Sequence, residues 1–274
     1  MSSAEIVWLA SYPKSGNTWL RFLLHAAVHG SIAQSVEVSA SIPDVHRAMP
    51  TDAGAEARAA SGGGYGGRLV MKTHFELSER HPHLDRTWGA VHVIRHPRDV
   101  LLSGLNYLRL AGTTPGQLSD RAYAELFIRA GGDPGFAQRG FGTWAGHASS
   151  WSAPGFPVHR VRYEDLQADT PGVLRGVLAF LGIEASDEAV AGAVRAGSFD
   201  AMRALEVREK NDPKKKSLDK RLFVGDAAGA RKGALFMHSG RSGRRLDEAI
   251  KGGAGLDDAF EGAFAEAMAQ HGYD

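Results

Sequence analysis

The sequence predicts an α/β fold in which a single domain holds a central parallel sheet flanked by helices. Four short apolar runs rich in β-branched residues are spaced along the chain, and helical patterns lie between and after them. A glycine-containing loop joins the first apolar run to the first helical pattern. Continuous apolar strands that alternate with helices are typical of a parallel sheet covered on both faces.

The individual elements follow from local patterns. Strands are predicted where short apolar runs occur, and helices where apolar residues recur every three to four positions. The predicted strands are residues 6–10, 69–72, 91–94 and 158–163. The predicted helices are residues 18–29, 98–110, 122–130, 142–152, 171–181, 187–196, 199–208 and 256–270.

Length and composition favour one globular domain over residues 1–274, with mobile loops at about 53–67 and 211–245. The chain holds no apolar run near the roughly eighteen residues of a membrane-spanning helix, and no signal-like stretch precedes the first strand. The absence of cysteine excludes disulfides, thiolate catalysis and cysteine-bound metals. A cytoplasmic location is expected.

Charge is unevenly distributed. The formal net charge is only +1, so a nucleic-acid partner is not expected. Residues 208–245, however, contain twelve Lys/Arg and four Asp/Glu. This basic segment is either a solvated loop or a lid over a polyanionic ligand.

The loop after the first strand reads Tyr-Pro-Lys-Ser-Gly-Asn-Thr-Trp, from Tyr12 to Trp19. A strand, a glycine-containing loop and a helix together present backbone N–H groups and a helix N-terminus to a phosphate or sulfate. Lys14 adds a cation and Thr18 a hydroxyl. The loop is P-loop-like but is not a Walker A motif, because its lysine precedes the only glycine.

Polar residues also follow the next two predicted strands, at the edge where parallel sheets bind ligands. Lys72 ends the second strand and His74 follows it, and histidine suits proton transfer near neutral pH. Arg95 follows the third strand, and Ser103 lies eight residues later in the following helix. An arginine fork and a hydroxyl that converge in this way suit a terminal phosphate.

These segments resemble those of the sulfotransferases that use 3′-phosphoadenosine 5′-phosphosulfate (PAPS). Tyr12 to Trp19 is similar to the family's 5′-phosphosulfate loop, and Arg95 with Ser103 to its 3′-phosphate motif. Lys72-Thr73-His74 is similar to the segment whose histidine is the catalytic base. The resemblance implies PAPS as co-substrate, with no metal. It implies catalytic roles for His74, Lys14 and Lys72.

Three further motifs extend the resemblance. Tyr163 matches a tyrosine that reaches the adenine. Ser198 and Phe199 match a Ser-Phe segment whose phenylalanine stacks on adenine opposite the loop tryptophan, here Trp19. Arg231-Lys232-Gly233 matches a late segment that closes over the 3′-phosphate. The implied cofactor-binding residues are Lys14, Ser15, Gly16, Asn17, Thr18, Trp19, Arg95, Ser103, Tyr163, Ser198, Phe199, Arg231, Lys232 and Gly233.

The resemblance is weak over residues 30–67 and 111–157, and the sequence departs from the family after Gly233. The layout looks similar to bacterial members that modify secondary metabolites, including glycopeptide sulfotransferases. The acceptor is expected to be a small molecule, with phenol, sugar hydroxyl, lipid alcohol and amine all open. The protein is expected to be a monomer or a homodimer.

The resemblance implies in-line sulfuryl transfer in which His74 removes the acceptor's proton. Lys14 would neutralise the leaving oxygen, and Lys72 would assist at the sulfuryl oxygens. Two alternatives remain at this point. One is a P-loop kinase or nucleotidase, with Glu164-Asp165 after the fourth strand as magnesium ligands. The other is a non-catalytic nucleotide-binding protein, which would have no need of a base.

Overall fold

The computed structural model describes residues 5–46, 65–111, 118–212, 222–225, 227–238 and 240–273. Its centre is a four-stranded sheet. The strands are β1 (Ile6–Ser11), β2 (Leu69–Thr73), β3 (Thr87–Ile94) and β4 (Val158–Arg162). Their order is β2-β1-β3-β4, and every pairing is parallel. The predicted α/β fold with a central parallel sheet is confirmed.

Helices surround this sheet, and all eight predicted helices are present with ends that shift by up to three residues. In chain order the helices are α1 (Asn17–His29), α2 (Ser35–Ser41), α3 (Pro97–Ala111), α4 (Asp120–Ala130), α5 (Trp144–Ser150), α6 (Tyr163–Ala168), α7 (Thr170–Leu181), α8 (Asp187–Ala196), α9 (Phe199–Asn211), α10 (Ala227–Arg231), α11 (Leu246–Ala249) and α12 (Leu256–Gln270). A helical turn, Pro134–Phe136, runs into a π-helical turn, Ala137–Phe141.

Strand β1 divides the core into two layers because its successive side chains point to opposite faces. Val7 and Leu9 pack with the apolar sides of α1, α7 and α8. Ile6 and Trp8 pack on the other face with Trp151. All of these side chains are buried. Coverage on both faces explains why the strand is a continuous apolar run in the sequence.

Several elements differ from the sequence prediction. Strand β3 begins at Thr87, four residues before the predicted start, and α6, α10 and α11 lie where no helix was predicted. The fourth strand was expected to reach residue 163, but it ends at Arg162 and Tyr163 begins α6. Acidic residues in the first turn favour this helix start. Helix α2 lies where no element was expected. Ser35 at its start donates hydrogen bonds to Glu209 of α9, so a distant contact fixes it.

The two predicted mobile loops are described only in part. Residues 53–64 lie outside the described residues, while Tyr65 is buried in a tight turn with Arg68. Between residues 211 and 245, the described stretches include α10 and several anchored turns. The mobility of both loops remains a prediction.

The strand order places a crevice at one edge of the sheet. The chain leaves β1 towards β2 on one side and returns past it to β3 on the other. Ligands bind at such a switch point, outside the carboxyl ends of the strands. Across the described ranges, no helix combines the length and the apolar character needed to span a membrane.

Candidate active site

A cavity of about 860 Å³ opens at the carboxyl ends of the strands. It is lined by residues that follow all four strands. The residues expected from the sequence that form part of its wall are Lys14, Gly16, Asn17, Thr18, Trp19, Lys72, His74, Arg95, Ser103, Tyr163 and Phe199. The position matches the site where parallel α/β sheets bind ligands.

The loop after β1 turns sharply before α1. Lys14 and Gly16 both have positive φ, at 72° and 102°. A Cβ atom on Gly16 would lie 2.5 Å from the ring of Tyr163, so only glycine fits there. The first-turn N–H groups of α1 have no intrahelical acceptor and border the cavity, which makes this helix start an anion site.

Two loop side chains shape the turn. Asn17 Nδ2 donates to the carbonyl oxygen of Leu9 at 2.9 Å and to Ser11 Oγ at 3.2 Å, which ties the loop to β1. The Ser15 side chain is fully buried and is not part of the cavity wall. The Ser15 N–H donates to the Tyr12 carbonyl oxygen at 3.3 Å. The backbone N–H groups of Gly16, Asn17 and Thr18, which line the cavity, are therefore the groups suited to a ligand.

The ammonium group of Lys14 lies between two aromatic rings. Its Nζ is 3.9 Å from the ring centre of Phe236 and 4.8 Å from that of Tyr107. Loss of solvent, with the nearby charges of Arg95 and Lys72, lowers the pKa of Lys14 to about 7. A bound anion would favour the charged form.

His74 is oriented by the backbone of β1. Its Nδ1 lies 2.7 Å from the carbonyl oxygen of Ser11. A carbonyl oxygen only accepts, so Nδ1 carries the proton and Nε2 is left as a proton acceptor. Burial, followed by the charge of Lys72, holds the pKa of His74 well below 6.5, so the neutral form predominates at neutral pH.

Lys72 is held in an ion pair that the sequence did not reveal. Its Nζ lies 2.5 Å from Asp44 Oδ2, and the side chains are only 12% and 16% exposed. Backbone hydrogen bonds from Lys72 to Pro43 and from Val45 to Lys72 fix Asp44 beside β2. Burial by itself would raise the pKa of Asp44, but the positive charge of Lys72 outweighs this effect and lowers the pKa far below its usual range.

The Arg95 side chain bridges two segments around the crevice. Its guanidinium donates to the carbonyl oxygens of Lys14 and Arg241, each at 3.3 Å, and stacks 4.0 Å from the ring centre of Tyr163. Ser103 lines the same wall two turns into α3. Arg95 and Ser103 therefore border the same cavity, and their binding of a phosphate stays a prediction.

The expected aromatic groups also converge. The rings of Trp19 and Tyr163 lie 5.6 Å apart at 65°, and Phe199 lines the cavity at the start of α9. Ser198 differs from its expected role: its hydroxyl accepts from Ala201 N and caps α9, outside the cavity wall.

The structure places the late basic residues differently from the sequence prediction. Arg231, Lys232 and Gly233 are exposed at the end of α10 and do not belong to the wall formed by the described residues. Arg241 and Arg244 line the cavity instead. A motif match in the sequence does not show which of several basic residues folds back over the sheet.

Residues 240–244 are held over the cavity by two polar side chains. Asp99 accepts from Gly243 N at 3.1–3.2 Å. Gln167 donates to the Gly240 carbonyl oxygen at 2.5 Å. These contacts fix the backbone that carries Arg241 and Arg244.

The other half of the cavity, around His74, is largely aromatic. His46 packs 4.1 Å from Phe75 and 4.8 Å from Phe141, measured between ring centres. The aromatic side chains that line this half are His46, Tyr107, Phe136, Phe141 and Phe236. The loops at residues 36–67 and 211–245 were expected to shape the acceptor pocket, but none of these residues was predicted individually, because their segments show no recognisable motif. Within the described residues, no group of three or more His, Cys, Asp or Glu is placed to hold a metal.

Fold and site together define an α/β protein with a cleft at the carboxyl ends of its parallel strands, lined by cationic side chains and by the N-terminus of α1. A model of the sulfotransferase domain family matches residues 5–242. The chain belongs to the sulfotransferase family.

Individual relatives agree with this assignment. The chain is 24% identical to rat Sulfotransferase 1A1 over 71% of its own length and 66% of that protein, and 27% identical to human Sulfotransferase 2B1 over 72% and 52%. It thus spans about half to just under two thirds of these relatives. A crystal structure of mouse sulfotransferase SULT7A1 complexed with PAP has a TM-score of 0.67 at 20% identity, covering 97% of this chain and 84% of that one.

Proposed function

We propose that this protein transfers a sulfuryl group from PAPS to a hydroxyl or amine of a small molecule. The observation that carries the proposal is the convergence of His74, Lys14 and Arg95 on one cavity at the switch point of the sheet. A proton acceptor, a desolvated cation and a phosphate-binding fork are the groups that sulfuryl transfer between two oxygens needs.

The nucleotide end of the cavity fits a molecule with two phosphate groups. The α1 N-terminus and Lys14 suit the 5′-phosphosulfate. Arg95 and Ser103, with Arg241 and Arg244 on the facing segment, suit the 3′-phosphate. The aromatic residues Trp19, Tyr163 and Phe199 offer faces on which adenine stacks.

The chemistry is a displacement at sulfur. A bond forms between sulfur and the acceptor oxygen or nitrogen, and the bond between sulfur and the phosphate oxygen breaks. His74 Nε2 takes the acceptor's proton, while Lys14 stabilises the charge that develops on the leaving phosphate. Lys72, held by Asp44, assists at the sulfuryl oxygens. Protein cations supply this charge, so no metal ion is required.

The aromatic half of the cavity favours a flat, apolar acceptor body. Rings around His74 would stack on an aromatic group and present its hydroxyl to Nε2. A bacterial secondary metabolite with an aromatic hydroxyl fits this description. We also propose that the reaction takes place in the cytoplasm.

The proposal is tested by isothermal titration with 3′-phosphoadenosine 5′-phosphate, with ATP and magnesium as control. Tight binding of the bisphosphate and weak binding of ATP are expected. Labelled PAPS with a panel of phenols, sugars, alcohols and amines would then identify the acceptor, with a chelator present to test for metal dependence. A preference for ATP with magnesium would overturn the proposal in favour of a kinase or nucleotidase.

A further inference from the structure

Helix α9 contains a buried ion pair that the proposed reaction does not use. Lys210 Nζ lies 2.6 Å from Glu206 Oε1, and these side chains are 1% and 0% exposed. Burying two charges has a large desolvation cost, which is offset only where hydrogen bonds use the remaining donors and acceptors of the pair. The partners of the Glu206 carboxylate therefore indicate what the pair does.

Both carboxylate oxygens of Glu206 accept backbone hydrogen bonds from residues 234–238, which we call the strap. The donors are Phe236 N at 2.6 Å and Met237 N at 2.8 Å. Asn106 of α3 donates to the Leu235 carbonyl oxygen at 3.0 Å, and the Leu235 side chain is buried. The strap is thus fixed from two helices.

The strap positions one ring over the reacting end of the cavity. Phe236 packs on Lys14 Nζ at 3.9 Å, with Tyr107 on another side. The ring also packs against Phe223, at 6.0 Å between centres. Rings on two sides of the ammonium group replace water that would otherwise solvate it.

Water is a competing acceptor for any group that transfers a sulfuryl. Its oxygen would bond to sulfur as the bond between sulfur and the phosphate oxygen breaks. The products would be sulfate, 3′-phosphoadenosine 5′-phosphate and the two protons of the water molecule. An enzyme that activates the leaving phosphate with a cation must therefore exclude water from the same place.

We propose that Glu206 clamps the strap so that the Phe236 ring keeps water from the sulfuryl group and reserves transfer for the acceptor. This role rests on the proposed function, but it concerns the choice between acceptor and water rather than transfer itself. It makes Phe236 a specificity residue and Glu206 a positioning residue.

The test measures release of labelled sulfate from PAPS without any acceptor. Phe236→Ala should raise this hydrolysis at least about tenfold, a change of about 1.4 kcal/mol in barrier. Phe236→Leu, which retains an apolar side chain, should restore part of the protection. Glu206 also raises the pKa of Lys14, so Glu206→Gln would weaken activation of the leaving phosphate in hydrolysis and in transfer alike. The ratio of hydrolysis to transfer should nevertheless rise in Glu206→Gln, since the substitution removes the buried charge that holds the strap.

The matched control is Val36→Ala. Val36 of α2 lines the same cavity, is 37% exposed and is not part of the cluster that packs against Phe236. The substitution enlarges the cavity away from the strap, so hydrolysis should not change. An equal rise in this control, or unchanged hydrolysis in Phe236→Ala, would overturn the inference.

Calorimetry with 3′-phosphoadenosine 5′-phosphate separates failure of this inference from failure of the proposed function. Each variant should bind the bisphosphate within about threefold of the unmodified protein, a difference below 1 kcal/mol. If the unmodified protein does not bind it, the proposed function fails. If binding is intact and Phe236→Ala releases no additional sulfate, only the role of Phe236 fails.

Discussion

One hydrogen bond, from His74 Nδ1 to the Ser11 carbonyl oxygen, leaves His74 Nε2 as the proton acceptor of the site. His74→Ala removes that acceptor, so turnover should fall by about 10²–10⁴-fold. Affinity for 3′-phosphoadenosine 5′-phosphate should be kept, because its proposed contacts come from other residues. Single-turnover assays and calorimetry measure these quantities. Near-normal turnover would assign the proton to another group.

Asp44 acts on the same histidine through charge. Its carboxylate opposes the effects of burial and of Lys72, and so raises the pKa of His74. Asp44→Asn should therefore lower that pKa further and release Lys72. We expect kcat/KM to fall roughly tenfold and its acid limb to move to lower pH, because activity requires neutral His74. A pH–rate profile measures both effects.

The control for this prediction is Asp120→Asn. Asp120 pairs with Arg109 on the outer side of α4, so removing its charge should leave the profile unchanged. A loss of rate in Asp44→Asn without any shift of the acid limb would mean that Asp44 only supports the cavity wall.

At the scale of elements, substitutions can test which of two basic segments, residues 231–233 or residues 240–244, contributes to nucleotide binding. Arg244→Ala should weaken binding of 3′-phosphoadenosine 5′-phosphate by about 1.5–3 kcal/mol, the range for a hydrogen bond to a charged group. Arg231→Ala should change it by less than about twofold, because Arg231 is exposed at the end of α10. Calorimetry distinguishes them. A larger loss for Arg231 would restore the sequence prediction.

The sequence predicted elements well where the pattern is local. The strands and long helices were visible because each buries its own apolar face. Helix α2 was not, since Glu209 of α9 holds its start. The strap was missed for the same reason: Glu206 and Asn106 fix it from distant parts of the chain.

The candidate site shows the same division. Lys14, His74 and Arg95 follow strands directly, so the topology brings them together, and the sequence located them. Asp44 and Phe236 reach the cavity only through tertiary contacts, which one sequence does not encode in a readable spacing. Fold class and the order of motifs were thus predictable, whereas the wall around His74 was not.

For the whole molecule, buried histidines make stability depend on pH. His92 and His147 are 1% and 0% exposed, and their rings lie 5.6 Å apart. Burial lowers the pKa of His92 from 6.5 to about 3 and that of His147 well below 6.5. The unfolded chain therefore binds more protons below pH 6.5, so stability present above that pH is lost as pH falls.

His92 should reduce the free energy of unfolding by about 2 kcal/mol between pH 7.5 and pH 5, and His147 should act in the same direction. His147→Leu should flatten the dependence, since leucine does not titrate and both ring nitrogens of His147 lack a hydrogen-bond partner in the described part of the chain. Urea unfolding at the two pH values measures the difference. An equally steep dependence in the variant would contradict this assignment.

The contact of Asp44 with β2 also closes an edge of the sheet. Strand β2 lies at one end of the order β2-β1-β3-β4, and its backbone at Lys72 is paired with Pro43 and Val45. Uncovered strand edges invite pairing between molecules. The segment that carries Pro43 and Asp44 therefore both lines the cavity and covers part of this sheet edge. A substitution there would alter the cavity wall and the cover of the edge together.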